Sequence, residues 1–279
     1  MQKLFKKLFI GSLSFYINSL AYINPRAAAR KAFRVFSKPR QGKIGPHHQD
    51  FLDSNLEPKI EIEGITIQPY RWQGTGKTIV LVHGWESHSH RWKEMIHRLQ
   101  KESYNIIAFD APAHGYSSGK YLYVPIYSKV LDEVIALYKP TFLIGHSMGG
   151  MTVLFNQAQT SATEMEKLVI LGAPDKLDSL VDQYRAILGL NQKAIDALEE
   201  FFKRRFNFKT KDFSSSAFAK KIQTPTLLIH DKEDTITPAT GSQAIHKALK
   251  NSEYIETKGL NHSLYDKEVN EKIINFLSK

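Results

Sequence analysis

The chain has 279 residues, 42% hydrophobic and 11% aromatic, which supplies a sizeable buried core and sets it apart from disordered chains. It contains no cysteine, which excludes disulfide scaffolds, thiolate metal sites and cysteine nucleophiles and suits a reducing, cytoplasmic setting; no unbroken run of about 20 apolar residues exists, which excludes a polytopic membrane protein. The formal net charge of +10 suits nucleic-acid binding less than it first suggests, because residues 1–43 hold ten Lys/Arg and no acid while the remainder holds 28 of each sign.

Read from the N-terminus, Leu4 to Ile23 is apolar but interrupted by Ser12, Ser14, Asn18 and Ser19. Phe5, Phe9, Leu13, Ile17 and Leu20 recur at helical spacing, with Lys3, Lys7, Ser14 and Asn18 towards the other side. Pro25 ends this helix, and a second, basic one carries Arg26, Arg30 and Arg34 one turn apart until Pro39. A cleaved signal peptide fits poorly, since the small residues Ala27–Ala29 lie beyond Arg26. A spanning helix fits poorly too, being short, polar and positively flanked on both sides. Two readings stay open for this basic segment (1–45): residues 1–38 contact an anionic membrane surface, the inner one for a cytoplasmic protein, or the helices pack on the protein's own body.

From residue 59 strands and helices alternate. Lys59–Gln68 alternates with period two and reads as a half-exposed antiparallel strand. Thr78–Val82, Asn105–Phe109, Thr141–Ile144, Lys167–Leu171 and Thr226–Ile229 are short apolar runs suited to strands buried on both faces, with a further strand at Glu253–Glu256. Helical patterns fall at 90–100, 127–137, 150–159, 241–249 and 269–277. This predicts an α/β fold with a mostly parallel sheet covered on both faces. Residues 175–221 contain no strand pattern and read as a helical insertion that divides the core into 46–174 and 222–279. There Ile195, Leu198, Phe202 and Phe206 make an apolar stripe, and Glu199/Lys203 and Glu200/Arg204 are four-residue ion pairs. Gly74–Thr78 has some residues of a phosphate loop, but with the wrong spacing and no preceding strand it reads as a hairpin turn.

One strand, Thr141–Ile144, runs directly into Gly145-His146-Ser147-Met148-Gly149 and then a helix. G-x-S-x-G in this strand–turn–helix context lifts the serine clear of the sheet, and the glycines leave room for the sharp turn. The N–H of Met148, at the helix start, is a candidate oxyanion donor, and a second is the N–H of Trp85 in the His83-Gly84-Trp85 loop. A serine nucleophile needs a base, and the base an orienting carboxylate. His262 follows the last strand and Asp234 the Thr226–Ile229 strand, so Ser147, Asp234 and His262 all follow carboxyl ends of parallel strands, where open α/β sheets place their sites. His83 and His146 compete as bases, but one shapes the loop and the other is fixed by the turn. Asp231 and Asp175 compete with Asp234. Asp110 and His114 read as turn residues near the site. His47-His48 and His88-Ser89-His90 lack acidic partners and helical spacing, so no metal site is expected.

These landmarks resemble the α/β-hydrolase superfamily from about residue 59 to the C-terminus: VHGW at 82–85, FDAPAHGYS at 109–117, GHSMGG at 145–150, HDKEDTITP at 230–238 and GLNH at 259–262. The resemblance implies the α/β-hydrolase fold, a helical cap at 175–221 and a Ser147–Asp234–His262 triad, with a small-molecule acyl substrate, no cofactor and no nucleic-acid partner. Serine at the nucleophile position argues against the dehalogenase and epoxide hydrolase members, and the absence of HGGG argues against one lipase branch. A carboxylic ester is the expected substrate, with thioester cleavage, acyl transfer and a non-catalytic ligand receptor as alternatives. Within the insertion Leu180, Ile187, Leu188, Leu190, Phe201, Phe202 and Phe206 either line an acyl pocket or pack the insertion onto the core.

Overall fold

The computed structural model describes residues 2–159 and 165–279; the side chains of Gln2, Lys3, Leu4, Lys6 and Lys7 lie outside the described set. The chain divides into two compact units, one of Met1–Lys38 with Lys176–Ser214 and one of Pro39–Asp175 with Ser215–Lys279.

The first unit is helical. α1 (Gln2–Ile23) and α2 (Pro25–Phe36) meet at Asn24, whose side chain accepts the Ala27 N–H while Pro25 occupies the first helical position. α7 (Leu177–Leu188) ends on left-handed Gly189, and α8 (Gln192–Phe206) is capped by Asn191. Phe33 of α2 sits among Phe201, Phe202 and Phe206 of α8, with ring centroids at 4.9, 5.7 and 5.8 Å. Those three insertion aromatics therefore pack against α2 within their own unit. Leu188, Leu190 and Phe202 are buried, whereas Ile187 is exposed. Of the two expected ion pairs, Glu200 meets Arg204 at 3.6 Å. Glu199 turns instead to Thr210, accepting from its N–H and its hydroxyl.

α1 departs from the expected orientation. Ile17 and Ala21 are buried, but Ser14 and Asn18 also face inward, donating to the Gly189 carbonyl at 3.1 and 2.9 Å. Asn18 Oδ1 accepts the Asn191 N–H at 2.8 Å. Polar side chains satisfy the helix-end backbone, and Phe5 and Phe9 are turned to the outside.

The second unit is the sheet, with helices on both faces. After α3 (Pro46–Asp53) come β1 (Ile60–Ile62), β2 (Ile65–Ile67) and β3 (Pro69–Trp72). The single strand expected at 59–68 is a hairpin: Glu63 and Gly64 have φ of 50° and 73° and form a two-residue turn, across which the isoleucines step from 60 and 62 to 65 and 67. Then follow β4 (Thr78–Val82), α4 (Lys93–Lys101), β5 (Asn105–Phe109), α5 (Val124–Tyr138), β6 (Phe142–His146), α6 (Met148–Gln157) and β7 (Lys167–Leu171). After the insertion come α9 (Ser215–Ala219), β8 (Thr226–Asp231), α10 (Thr240–Ala248), β9 (Ser252–Thr257) and α11 (Lys267–Ser278).

The sheet order is β3-β5-β4-β6-β7-β8-β9, parallel except for β3, which pairs antiparallel with β5. Because β3 pairs with β5 and not with β4, residues 74–77 are a crossover and not the expected hairpin. Gly74 is required there by contact: a Cβ would lie 2.1 Å from the Tyr104 carbonyl oxygen. Alternate strand residues feed two cores. Val80, Val82 and Leu143 pack with α5 and α6 on one face, and Ile79, Leu81 and Ile144 with α4 and α11 on the other. α9 packs on this unit through Ala219, so the helical excursion ends at Ser214, not 221. Its two ends lie together, with the Ser215 N–H donating to the Asp175 carbonyl at 2.7 Å. One residue further into the insertion, Lys176 and Ser214 are bridged antiparallel.

Candidate active site

β6 delivers its last residue, His146, to Ser147, and α6 starts at once with Met148. So abrupt a reversal forces Ser147 to φ 54°, ψ −123°, a strained conformation costing about 1–3 kcal/mol. The surroundings hold it there: its N–H donates to the Leu171 carbonyl at 2.8 Å, and its carbonyl accepts the Met151 N–H at 3.0 Å. The flanking glycines are set by crowding, since a Cβ on Gly149 would lie 2.2 Å from the Val82 carbonyl oxygen.

His262 lies in a short turn after β9, with Nε2 2.9 Å from Ser147 Oγ and Nδ1 2.7 Å from Asp234 Oδ2. Ser147, His262 and Asp234 thus form one hydrogen-bonded series, assembled from the carboxyl ends of β6, β9 and β8. Asp234 can only accept, so Nδ1 carries the proton and the Nε2 lone pair faces the Ser147 hydroxyl. The Asp234 carboxylate has no exposed side-chain surface. Burial would raise its pKa, but hydrogen bonds from His230 and His262 and the Thr237 N–H outweigh it and hold the carboxyl well below the usual range. Oδ1 accepts the N–H groups of Ile236 and Thr237 at 2.8 and 3.0 Å, and Oδ2 accepts the Thr237 hydroxyl at 2.9 Å.

The rivals are occupied elsewhere. Asp231 Oδ2 accepts the Thr257 hydroxyl and the Leu260 N–H, tethering the loop that carries His262. Asp175 Oδ1 accepts the Ser216 N–H at 2.8 Å. His83 is fully buried; Nε2 accepts the Ala111 N–H at 2.9 Å, so Nδ1 donates to the Gly84 carbonyl at 2.8 Å. Burial, with His114 nearby, drives its pKa well below the ordinary value, so it is a neutral brace for the 83–85 loop. Asp110, also fully buried, accepts from Ser89 N–H and hydroxyl, Tyr70 hydroxyl and Tyr116 N–H. It is the knot of the loop next to the site. His114 Nε2 accepts the Glu86 N–H at 3.0 Å.

Gly84 approaches Ser147 so closely that a Cβ on it would lie 2.9 Å from Ser147 Cβ. This brings Trp85, the next residue, into the same loop apex, and Met148 adjoins Ser147 in the chain. Among the described residues neither N–H of this pair donates to a protein acceptor.

Three neighbours were not singled out for these roles in the sequence. Thr237 Oγ1 lies 3.0 Å from His262 Nδ1 and 3.1 Å from the Gly172 carbonyl, beside its bond to Asp234. His230 Nε2 donates to the Thr237 carbonyl at 2.8 Å and sits 3.2 Å from Asp234 Oδ2. His146 Nε2 donates to the His262 carbonyl at 2.7 Å and fixes the backbone beneath the imidazole. Only the D-x-x-T spacing, typical of a carboxylate taking N–H groups two and three residues on, pointed to Thr237. His48 meets the sequence-distant pair His88 and His90, with ring centroids 4.2–6.1 Å apart. Among the described residues no group of three or more His, Asp or Glu is arranged to hold a metal ion.

Two family models match in tandem: serine aminopeptidase S33 over residues 73–207 and TAP-like protein over 206–279. The uncharacterized protein YqkD of Bacillus subtilis is 26% identical over 235 residues, covering 77% of this chain and 76% of its own. Human monoglyceride lipase is 33% identical over 135 residues, covering 44% of this chain and 43% of its own. A bromoperoxidase structure from Bacillus anthracis superposes with a TM-score of 0.63 at 22% identity, over 80% of this chain and 99% of its own. The activities in these names differ, while the two family models and the structural neighbour agree on one fold family. The chain belongs to the α/β-hydrolase superfamily.

Proposed function

We propose that the protein is a serine hydrolase that cleaves a carboxylic ester through an acyl-enzyme, with Ser147 as nucleophile, His262 as base and Asp234 as the orienting acid. The observation that carries this reading is the unbroken series from Ser147 Oγ through both nitrogens of His262 to the buried Asp234 carboxylate. Ser147 Oγ attacks the ester carbonyl as its proton passes to His262 Nε2. The imidazolium gains stabilisation from Asp234, which stays ionised because its hydrogen bonds hold its pKa low. The tetrahedral oxyanion takes the N–H groups of Trp85 and Met148, each donor worth about 3–4 kcal/mol in the transition state. His262 then returns its proton to the leaving alkoxide, the alcohol departs, and a water deprotonated by the same Nε2 releases the acid. The residues 83–85 loop is braced for this by neutral His83, which presents no competing charge at the oxyanion. An ester is favoured because human monoglyceride lipase, by its name an ester hydrolase, is among the relatives.

The test is hydrolysis of p-nitrophenyl esters from acetate to palmitate by wild type and Ser147→Ala, with fluorophosphonate labelling alongside. Turnover that falls at least about ten-thousandfold in the variant, together with labelling lost at Ser147, is expected. A protein that neither turns over any ester nor reacts with fluorophosphonate overturns the proposal. Transfer of the acyl group to an added alcohol in preference to water would redefine the reaction as acyl transfer by the same series.

A further inference from the structure

The outer face of α1 is the most unusual surface of the molecule. Phe5, Phe9, Phe15 and Ile23 are 68, 67, 75 and 82% exposed, and Leu8, Tyr16 and Tyr22 lie on the same side of the helix. At 1.5 Å per residue, Phe5 to Ile23 is a run of about 27 Å. The helix spends its polar side chains inward, on the Gly189 carbonyl and the Asn191 N–H, while its aromatics face out. This is the reverse of a helix whose outer face is meant for water. No helix among the described residues is long and apolar enough to cross a membrane.

The margin of this apolar strip is basic. Lys31 Nζ of α2 lies 6.0 Å from the Tyr16 ring centroid, and Lys193 Nζ of α8 lies 4.6 Å from that of Tyr22. Arg26, Arg30 and Arg34 are exposed on α2, and no acid occurs before Asp50. An aromatic strip fringed by ammonium groups, with exposed guanidinium groups on the neighbouring α2, matches an interface in which acyl chains lie beneath anionic headgroups. A second copy of the chain matches less well. A two-fold contact would set the lysine fringe against itself, with like charges opposed and no acid on α1 or α2 to answer them.

We infer that the outer face of α1 docks in the plane of an anionic lipid bilayer, with its aromatics among the acyl chains and the lysine fringe at the phosphates. The full chain is tested for co-sedimentation with vesicles of phosphatidylcholine containing about one-third phosphatidylglycerol, and with phosphatidylcholine alone, at low and high salt. Binding to the anionic vesicles is expected, at least tenfold weaker without phosphatidylglycerol or at high salt, and at least tenfold weaker for Phe9→Asp/Phe15→Asp. That double variant should keep wild-type turnover of a soluble short-chain ester. Because the chain has no cysteine, Ser12→Cys accepts a single environment-sensitive fluorophore at the middle of the strip without disturbing the aromatics. Its emission should shift to the blue on adding anionic vesicles, a readout that stands even if the double variant fails to fold. Absence of vesicle binding overturns the inference, as does binding with an unmoved fluorophore. A concentration-dependent dimer abolished by Phe9→Asp, without vesicle binding, overturns it in favour of self-association.

Discussion

Replacing Asp234 by asparagine changes one atom and sets two demands against each other. The carboxylate accepts at both ends: Ile236 and Thr237 N–H groups at Oδ1, and His262 Nδ1–H and the Thr237 hydroxyl at Oδ2, with His230 Nε2 3.2 Å away. An amide has one acceptor end. If its NH2 occupies the Oδ2 position, His262 Nδ1 must become an acceptor, its proton moves to Nε2, and Nε2 can no longer take the proton of Ser147. If the amide flips, the NH2 opposes two backbone N–H groups in a buried site, at about 1–3 kcal/mol for each donor left unpaired. The first outcome is the cheaper in stability and the more damaging to chemistry. The expected result is a fall of about four orders of magnitude in kcat, about 5.5 kcal/mol of transition-state stabilisation, with KM little changed. The assay is p-nitrophenyl butyrate hydrolysis over a full substrate range, with thermal melts on the same preparations. A folded Asp234→Asn variant that keeps more than a tenth of wild-type kcat would refute the assignment of Asp234 as the orienting acid.

Thr237→Val removes a hydroxyl between Asp234 Oδ2 and the Gly172 carbonyl; kcat should fall about tenfold with unchanged melting behaviour above neutral pH, as measured by initial rates. Gly84→Ala places a Cβ 2.9 Å from that of Ser147 and 3.2 Å from the His146 carbonyl oxygen, so kcat should drop about a hundredfold or more while the fold survives by circular dichroism. Asp234 has a folded-state pKa below its unfolded value of about 3.9, so its stabilisation is full above that pH and is lost as acid brings the pH through the lower, folded value. The melting-temperature gap between wild type and Asp234→Asn should therefore narrow as pH falls below about 4. Burial, with His48, His88 and Lys93 nearby, pushes the His90 imidazole down to about 4. The unfolded chain then binds this proton first, stability declines from about pH 6.5 towards 4, and His90→Gln should flatten that part of the melting-temperature profile.

The residues that meet at Ser147 were legible in sequence because Ser147 and Asp234 follow the buried apolar strands β6 and β8 and His262 follows the last strand, and a parallel sheet aligns strand ends whatever lies between them. TIVLV and TFLI announce central strands by having no polar face, and the serine turn is written in consecutive residues. Thr237, His230 and the ring of His146 were not legible in their supporting roles: Thr237 lies in an irregular loop, and His230 and His146, near the ends of β8 and β6, bond to carbonyls in loops that no periodicity describes. The Glu63-Gly64 turn left only a small mark: across it the isoleucines step from 60 and 62 to 65 and 67, a one-residue break in period two short enough to pass for one continuous strand. The crossover at 74–77 was missed because strand adjacency is a property of the whole sheet, and β5 slips between two neighbours in sequence. On α1 the apolar periodicity identified a helix but not its inner face, which is decided by the carbonyl of Gly189 and the N–H of Asn191 seeking Ser14 and Asn18.

The 39-residue excursion from Lys176 to Ser214 leaves and re-enters the sheet unit through residues that already touch, Asp175 and Ser215, at 2.7 Å. A detour whose entrance and exit coincide asks almost nothing of the path it interrupts. Lengthening it adds loop-closure entropy only as the logarithm of its length, about 0.6 kcal/mol per doubling. The strand series therefore tolerates helices of different number and shape at this doorway without changing register. Helices can be gained or lost there by insertion and deletion, while Ser147, Asp234 and His262 stay beyond the ends of strands whose register does not change.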